Sequence, residues 1–250
     1  MLFDTNVNLG VWPFTLVPEL NAPRLAAHLR AHGIGRAVVS PTAAILAPDP
    51  MPANRALLAA VRGAPALLPV PVVNPALAHW REQLDAAAAG PLRAIKLYPN
   101  YHNYRLDSPR FDPFFAEVKS RRLRLLISVR LEDERHRYFG LHIKSVPPKT
   151  LIAFLRRQPQ LHPLVLGLGL PDLRIVAKDC ENFSTDTSFL EWLNSLLDLT
   201  REFPARRIFL GSHTPFFVTR ASVAKVTTAP LPARTIAAIG GGNAARFFSL

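Results

Sequence analysis

One cysteine in 250 residues, Cys180, excludes an internal disulfide and any Cys-x-x-Cys metal cluster. A small buried apolar role is the expectation for it. No apolar run approaches the ~20 residues a membrane helix requires, and the first residues carry Asp4 instead of a basic-then-apolar leader. The expectation is a cytoplasmic protein with no membrane partner. No Gly-x-Gly-x-x-Gly follows the first β-like run, which weakens a dinucleotide-binding open sheet. Acidic residues are scarce: 18 Asp plus Glu against 30 Lys plus Arg leave a formal charge of +12. Such an excess is compatible with a polyanion. Yet the basic residues are spread over the chain, and the densest patches, Lys119 to Arg124 and Arg135 to Arg137, interleave no aromatics for base stacking. A nucleic-acid partner is not expected.

What is present points to a large buried core: 49% of the residues are hydrophobic, and the length is usual for one (β/α)8 barrel. Short β-like runs alternate with amphipathic helical runs, the pattern of parallel strands joined by crossover helices. Eight such units are visible. The strands are expected at Phe3–Gly10, Arg36–Ser40, Leu67–Val73, Arg93–Tyr98, Arg124–Arg130, His162–Gly167, Asn182–Thr187 and Arg207–Ser212. Pro69 and Pro71 remove two ladder donors from the third. Helices are expected over Pro23–His32, capped by Asn21, through Leu57 to Val61, over Ala76–Ala89, through Phe111 to Val118, and from Pro148. Ser188 and Glu191 read as a capping box ahead of a stripe of Phe189, Leu193, Leu196 and Leu197. Gly240 to Gly242 read as a flexible joint before a short final helix. The fold class is α/β, a single parallel eight-stranded (β/α)8 TIM barrel spanning residues 1–250 as one domain.

In such a barrel the C-terminal strand ends build the site. The polar residues there are Asn6, Asn8, Asn74, Lys96, Arg130, Asp186 and His213, and His102 lies in the aromatic loop Pro99–Arg105 after the fourth strand. Period-2 alternation puts Asp4, Asn6 and Asn8 on one face of the first strand, opposite Phe3, Thr5 and Val7.

The opening Phe3-Asp4-Thr5-Asn6-Val7-Asn8-Leu9-Gly10, the Ile95-Lys96-Leu97-Tyr98-Pro99 stretch, Gly211-Ser212-His213-Thr214-Pro215 and the terminal Gly242-Asn243-Ala244-Ala245-Arg246-Phe247 together resemble the amidohydrolase-2 family of metal-dependent hydrolases. The resemblance implies a TIM barrel. It also implies metal ligands at two first-strand imidazoles of an Asp-x-His-x-His-x-Gly motif, a His near the end of the sixth strand, and the Asp of an eighth-strand Gly-Ser-Asp-x-Pro. Those positions hold Asn6, Asn8, Gly167 and His213 here. Amide oxygens are neutral, weak donors for a transition metal, which is ordinarily held by about three imidazole, carboxylate or thiolate groups. No cofactor is therefore expected, one residual divalent ion (zinc) being the alternative.

Without a metal, the resemblance implies a hydrolase or decarboxylase acting on a small carboxylated or cyclic substrate. Lys96 would bind a carboxylate or polarise a carbonyl, its alternative being a snorkelling rim side chain. His213 would be the general base, or a hydrogen-bonded structural imidazole. Asn6, Asn8, Arg130, His102 and Asp186 would contact substrate. Asn6 and Asn8 would otherwise satisfy one another, Arg130 pair with Glu132 or Asp133, and Asp186 belong to a turn. The competing class is a catalytically silent barrel that binds a ligand or a related subunit; a homo-oligomer is compatible with either.

Overall fold

The computed structural model describes residues 1–14, 21–133, 135, 138, 140, 142–192 and 194–250. Its strands are β1 Leu2–Leu9, β2 Ile34–Pro41, β3 Leu67–Pro69, β4 Ala94–Leu97, β5 Arg124–Ser128, β6 Leu164–Leu166, β7 Ser184–Asp186 and β8 Ile208–Phe209. Every ladder is parallel, in the orders β1-β2-β3 and β4-β5-β6-β7-β8. Backbone hydrogen bonds join the two sheets into a closed barrel. Lys96 N donates to Pro71 O at 2.9 Å and Val73 N to Lys96 O at 3.0 Å on one seam; Thr5 N donates to Leu210 O and His213 N to Asn6 O, both at 2.9 Å, on the other. Closure leaves no unpaired sheet edge.

The helices after successive strands are α1 Ala22–Ala31, α2 Met51–Ala60, α3 Trp80–Ala88, α4 Asp112–Ser120, α5 Pro148–Arg157, α6 Leu170–Asp179, α7 Ser195–Glu202 and α8 Thr219–Thr227, followed by α9 Ala233–Ala237 and α10 Asn243–Phe248. Most of these helices turn an apolar stripe to the sheet, for example Leu151, Phe154 and Leu155 of α5, whereas α8 buries Thr219, Ser222 and Val226. Asn21 caps α1 as expected, its Oδ1 accepting from Arg24 N at 3.0 Å. Inside the barrel, Phe3, Val38, Val70, Ala94, Leu126, Leu164 and Phe209 pack together with Phe248 of α10. Cys180 is buried and unpaired.

The structure departs from the sequence-based reading in several places. Regular β3 ends at Pro69, because Pro69 and Pro71 cannot donate; beyond it Val70 N still donates to Val39 O at 2.9 Å, and Val72 forms an isolated bridge with Lys96. The side chain of Asn54 makes good that loss, donating to Val72 O at 2.8 Å and accepting from Val72 N at 2.9 Å. Helix α3 starts at Trp80, four residues later than expected. The Ser188–Glu191 capping box does not form: Ser188 lies in a turn with its hydroxyl given to Asp186, and α7 starts at Ser195. Leu193 of the expected stripe falls outside the described residues. Helices α6 and α8 were not anticipated.

The Gly240–Gly242 segment is a tight π-helical turn instead of a joint: a Cβ on Gly241 would lie 2.9 Å from Met1 O. Last, β1 does not alternate strictly. Asp4 opposes Ala37 and Val7 opposes Val39, so β1 has one residue more than β2 over this span. This bulge turns Phe3 into the barrel and Val7 toward Leu25 of α1, although strict period-2 alternation would place both on one face.

Candidate functional site

The bulge in β1 delivers Asn6 and Asn8 to the C-terminal half of the barrel interior, where they meet side chains from β4 and β7. Lys96 Nζ donates to Asn6 Oδ1 at 3.1 Å, and Asn6 Nδ2 donates to Asp186 Oδ2 at 2.9 Å. The other oxygen of Asp186 accepts from Gly167 N at 3.0 Å and from Ser188 Oγ at 2.9 Å. Tyr98 OH donates to Asn8 Oδ1 at 3.0 Å, and Lys96 Nζ lies 5.2 Å from the centre of the Tyr98 ring. Asp4 Oδ1 accepts from Asn6 N and Ser212 N, both at 3.0 Å, while its Oδ2 has no protein partner.

His213 adopts a left-handed backbone, φ 59°, just after β8. Its Nε2 faces Leu131 O, and its ring stacks on Phe216 at 5.1 Å. Its Nδ1 and the Nδ2 of Asn8 have no protein partner. Lys96, His213, Asn6 and Asn8 thus all lie at the C-terminal end of the barrel, each at most 1% exposed.

Burial dominates the electrostatics. It pushes Lys96 down to about 7, against the opposing pull of Asp186 and Asp4. It pushes Asp4 up to about 6, and it raises Asp186 despite three hydrogen bonds and the nearby ammonium. His213 is driven down to about 3 by burial, only partly offset by Leu131 O. It is a neutral, weakly basic imidazole at physiological pH.

Other expected contacts lie elsewhere. Arg130 pairs with Asp172 of α6 at 2.9 Å and covers the Phe189 ring, so neither Glu132 nor Asp133 is the partner first considered. His102 turns Nε2 to Ala44 O at 3.1 Å. Asn74 closes a local turn, its Oδ1 accepting from Ala76 N at 3.0 Å. Sequence reasoning missed Tyr98, Ser188 and Gly211 as parts of the site. The crowding that requires Gly211 is visible only in three dimensions: a Cβ there would lie 2.3 Å from Asp186 Oδ2.

Above this cluster a cleft of about 520 Å³ opens between the loops after β5, β7 and β8, with Ser188, Phe216, Phe217, Ser222 and Lys225 in its walls. Ser188 and Phe216 are also the residues that touch Asp186 and His213. The cleft and the buried cluster are therefore separated by a single side-chain layer.

A family model described as amidohydrolase matches residues 10–250. The chain belongs to the amidohydrolase family. The match begins at Gly10, just beyond the strand that carries Asn6 and Asn8. No curated protein matches this amidohydrolase. Among solved structures it is similar to 5-carboxyvanillate decarboxylase from Sphingomonas paucimobilis, at 15% identity and TM-score 0.74, covering 100% of this chain and 99% of that one. It is similar to a dihydroxybenzoic acid decarboxylase from a Polaromonas species, with bound manganese and the inhibitor 2-nitroresorcinol, at 16% identity and TM-score 0.77, covering 100% and 97%. It also resembles a probable 2-pyrone-4,6-dicarboxylic acid hydrolase from Acinetobacter baumannii with bound citric acid, at 13% identity and TM-score 0.70, covering 100% and 99%. At such identities the likeness is one of fold.

The residues of this amidohydrolase do not fit a divalent metal. Among the described residues, no group of three His, Cys, Asp or Glu side chains is arranged to hold one. The amide oxygens of Asn6 and Asn8 already accept hydrogen bonds from Lys96 and Tyr98. Position 167 has no room for a ligand either: Gly167 has φ 86°, and a Cβ there would lie 2.7 Å from Arg130 O. A cationic Lys96 beside Asn6 adds repulsion.

Proposed function

We propose that this amidohydrolase binds a small carboxylated, ring-containing compound at the C-terminal mouth of its barrel and acts on it as a hydrolase or decarboxylase without a divalent metal. The observation that carries this reading is the placement of Lys96. Its ammonium donates to Asn6 at the position of a family metal ligand and makes no other hydrogen bond, so two N–H groups remain for a substrate carboxylate. The cleft of about 520 Å³ above it suits a single-ring ligand. Solved proteins of the same fold carry names of decarboxylases and hydrolases of carboxylated rings, which supports this substrate class. In this reading Lys96 and Asn6 orient the carboxylate. His213, through its unpartnered Nδ1, is the group that accepts or returns a proton, and Asn8 offers its free Nδ2–H to the ring substituents.

A second reading is binding without turnover, as a silent barrel. It is favoured by the burial of all four residues behind Phe216 and Ser188 and by the depressed basicity of His213. A two-part experiment separates the readings. Protein freed of metal by chelator is titrated calorimetrically with 2,6-dihydroxybenzoate, 5-carboxyvanillate and 2-pyrone-4,6-dicarboxylate, then assayed for carbon dioxide release and ring opening. Binding with turnover that chelator does not abolish supports the first reading, and binding without turnover the second. If only added manganese produces turnover, or if none of the three binds, the proposal is lost.

A further inference from the structure

Asn6 stands between two buried charged groups. Its Oδ1 faces the Lys96 ammonium at 3.1 Å and its Nδ2 faces the Asp186 carboxylate at 2.9 Å. A carboxamide suits this bridge, because one neutral planar group supplies both an acceptor for the ammonium and a donor for the carboxylate. The far side of Asp186 is anchored by Gly167 N and Ser188 Oγ. Gly167 and Asn6 are two of the positions the family gives to metal ligands, so one carboxylate ties two vacated ligand positions to each other. Asp4, on the same strand as Asn6, is also fully buried and interacts electrostatically with both Lys96 and Asp186. Asp4 and Asp186 thus both interact with the Lys96 ammonium at the centre of the barrel, and Lys225 of α8 adds a second cation near Asp186.

We infer that Lys96 takes the place of a divalent ion in this barrel, with Asn6 coupling its amino group to Asp186, so that the departures at positions 6 and 167 form one compensated arrangement. The inference rests on the metal-free reading above and adds what substitutes for the metal. Removing Lys96 leaves Asn6 Oδ1 without its donor and two carboxyl groups without the cation they share; removing the Asp186 charge leaves that ammonium with the Asp4 carboxyl alone. The two losses are therefore less than additive, because each single substitution leaves the other partner buried with its charge or hydrogen bond uncompensated.

The first test is a double-mutant cycle on Lys96→Met and Asp186→Asn, read as the midpoint of urea unfolding at pH 7. Each single substitution is expected to lower the midpoint, and the double substitution to lower it by less than the sum of the two. Additive losses would overturn the inference. The second test measures manganese by elemental analysis after equilibration with manganese chloride and desalting. Wild type and a triple variant, Asn6→His with Asn8→His and His213→Asp, are expected to retain none. Adding Lys96→Met to the triple variant is expected to bring about one manganese per chain. Manganese held by the triple variant with Lys96 intact, or refused by the quadruple variant that circular dichroism shows to be folded, would overturn the claim that Lys96 occupies the cation's place. If the multiple variants do not fold, the cycle decides. One manganese per wild-type chain would overturn both the inference and the metal-free reading. Additive losses in a metal-free wild type would overturn the inference alone.

Discussion

Asp4 is the residue whose surroundings most directly set a measurable property. Its carboxyl is held at about 6 in the folded chain against 3.8 in an unfolded one, because burial disfavours the charge more than its hydrogen bonds favour it. Between these two values the native state keeps a proton that the unfolded state has released. The stabilising contribution is therefore fully present below pH ~4 and is lost as pH rises through 6, about 3 kcal/mol at 1.36 kcal/mol per pH unit. Asp186, also raised, acts in the same direction. Lys96 has the complementary behaviour: its folded value of about 7 lies below 10.5, so its contribution is present above pH ~10 and lost as pH falls through 7. Asp4→Asn keeps an oxygen for Asn6 N and Ser212 N and removes the titration. Its urea midpoint is expected to decline less than that of wild type between pH 4 and 6.5. An unchanged decline would show that Asp4 is not the responsible group. At this scale the sequence revealed which polar residues stand at strand ends, but not their partners. Asn6 and Asp186 are 180 residues apart, and only closure of the barrel makes them neighbours.

At the scale of elements, most of the alternation was legible because its causes are local. Asn21 caps α1, Pro148 starts α5 where its missing N–H costs nothing, and the Phe114, Phe115 and Val118 stripe defines α4. The misreadings have equally physical causes. Ser188 resembles a cap in one dimension, but a buried carboxylate two residues earlier competes for its hydroxyl and wins. The bulge in β1 breaks the two-residue period without leaving a composition signal. In β3, two prolines interrupt the ladder and a side chain from α2 replaces it. Asn54→Leu is therefore expected to destabilise the protein by about 2–5 kcal/mol, since Val72 N and O are both left buried and unpaired. Thermal or urea unfolding checks this, and a loss below ~1 kcal/mol would show that the segment rearranges to pair elsewhere.

For the whole molecule, the formal charge of +12 is the dominant long-range property. The acidic residues already subtracted in this figure pair locally with part of the basic ones: Arg121 with Asp85 and Glu117, Arg156 with Asp179, Arg157 with Asp112, and Arg174 with Glu202. Exposed pairs of this kind add little stability but reduce the field that a polyanion meets. Binding to a random-sequence DNA duplex, followed by fluorescence anisotropy, is expected to fall steeply with salt and to be weaker than micromolar at ~0.15 M. Nanomolar binding at that salt concentration would establish a nucleic-acid partner. Among the described residues, no helix is long and apolar enough to cross a membrane.

The eight strands, most of the helices between them and the parallel barrel were legible in the chain alone, because periodicity, caps and breakers act within a few residues and their consequences repeat along it. Its resemblance to the family implies that Asn6, Asn8, Gly167 and His213 stand where metal ligands would be expected. Which groups those residues contact follows only from the folded chain. Hydrogen bonds between side chains on β1, β4 and β7, the crowding at Gly167 and the orientation of His213 toward Leu131 all depend on distances across a closed barrel. Dehydration at its centre then sets the proton affinities, by an amount that no local pattern encodes.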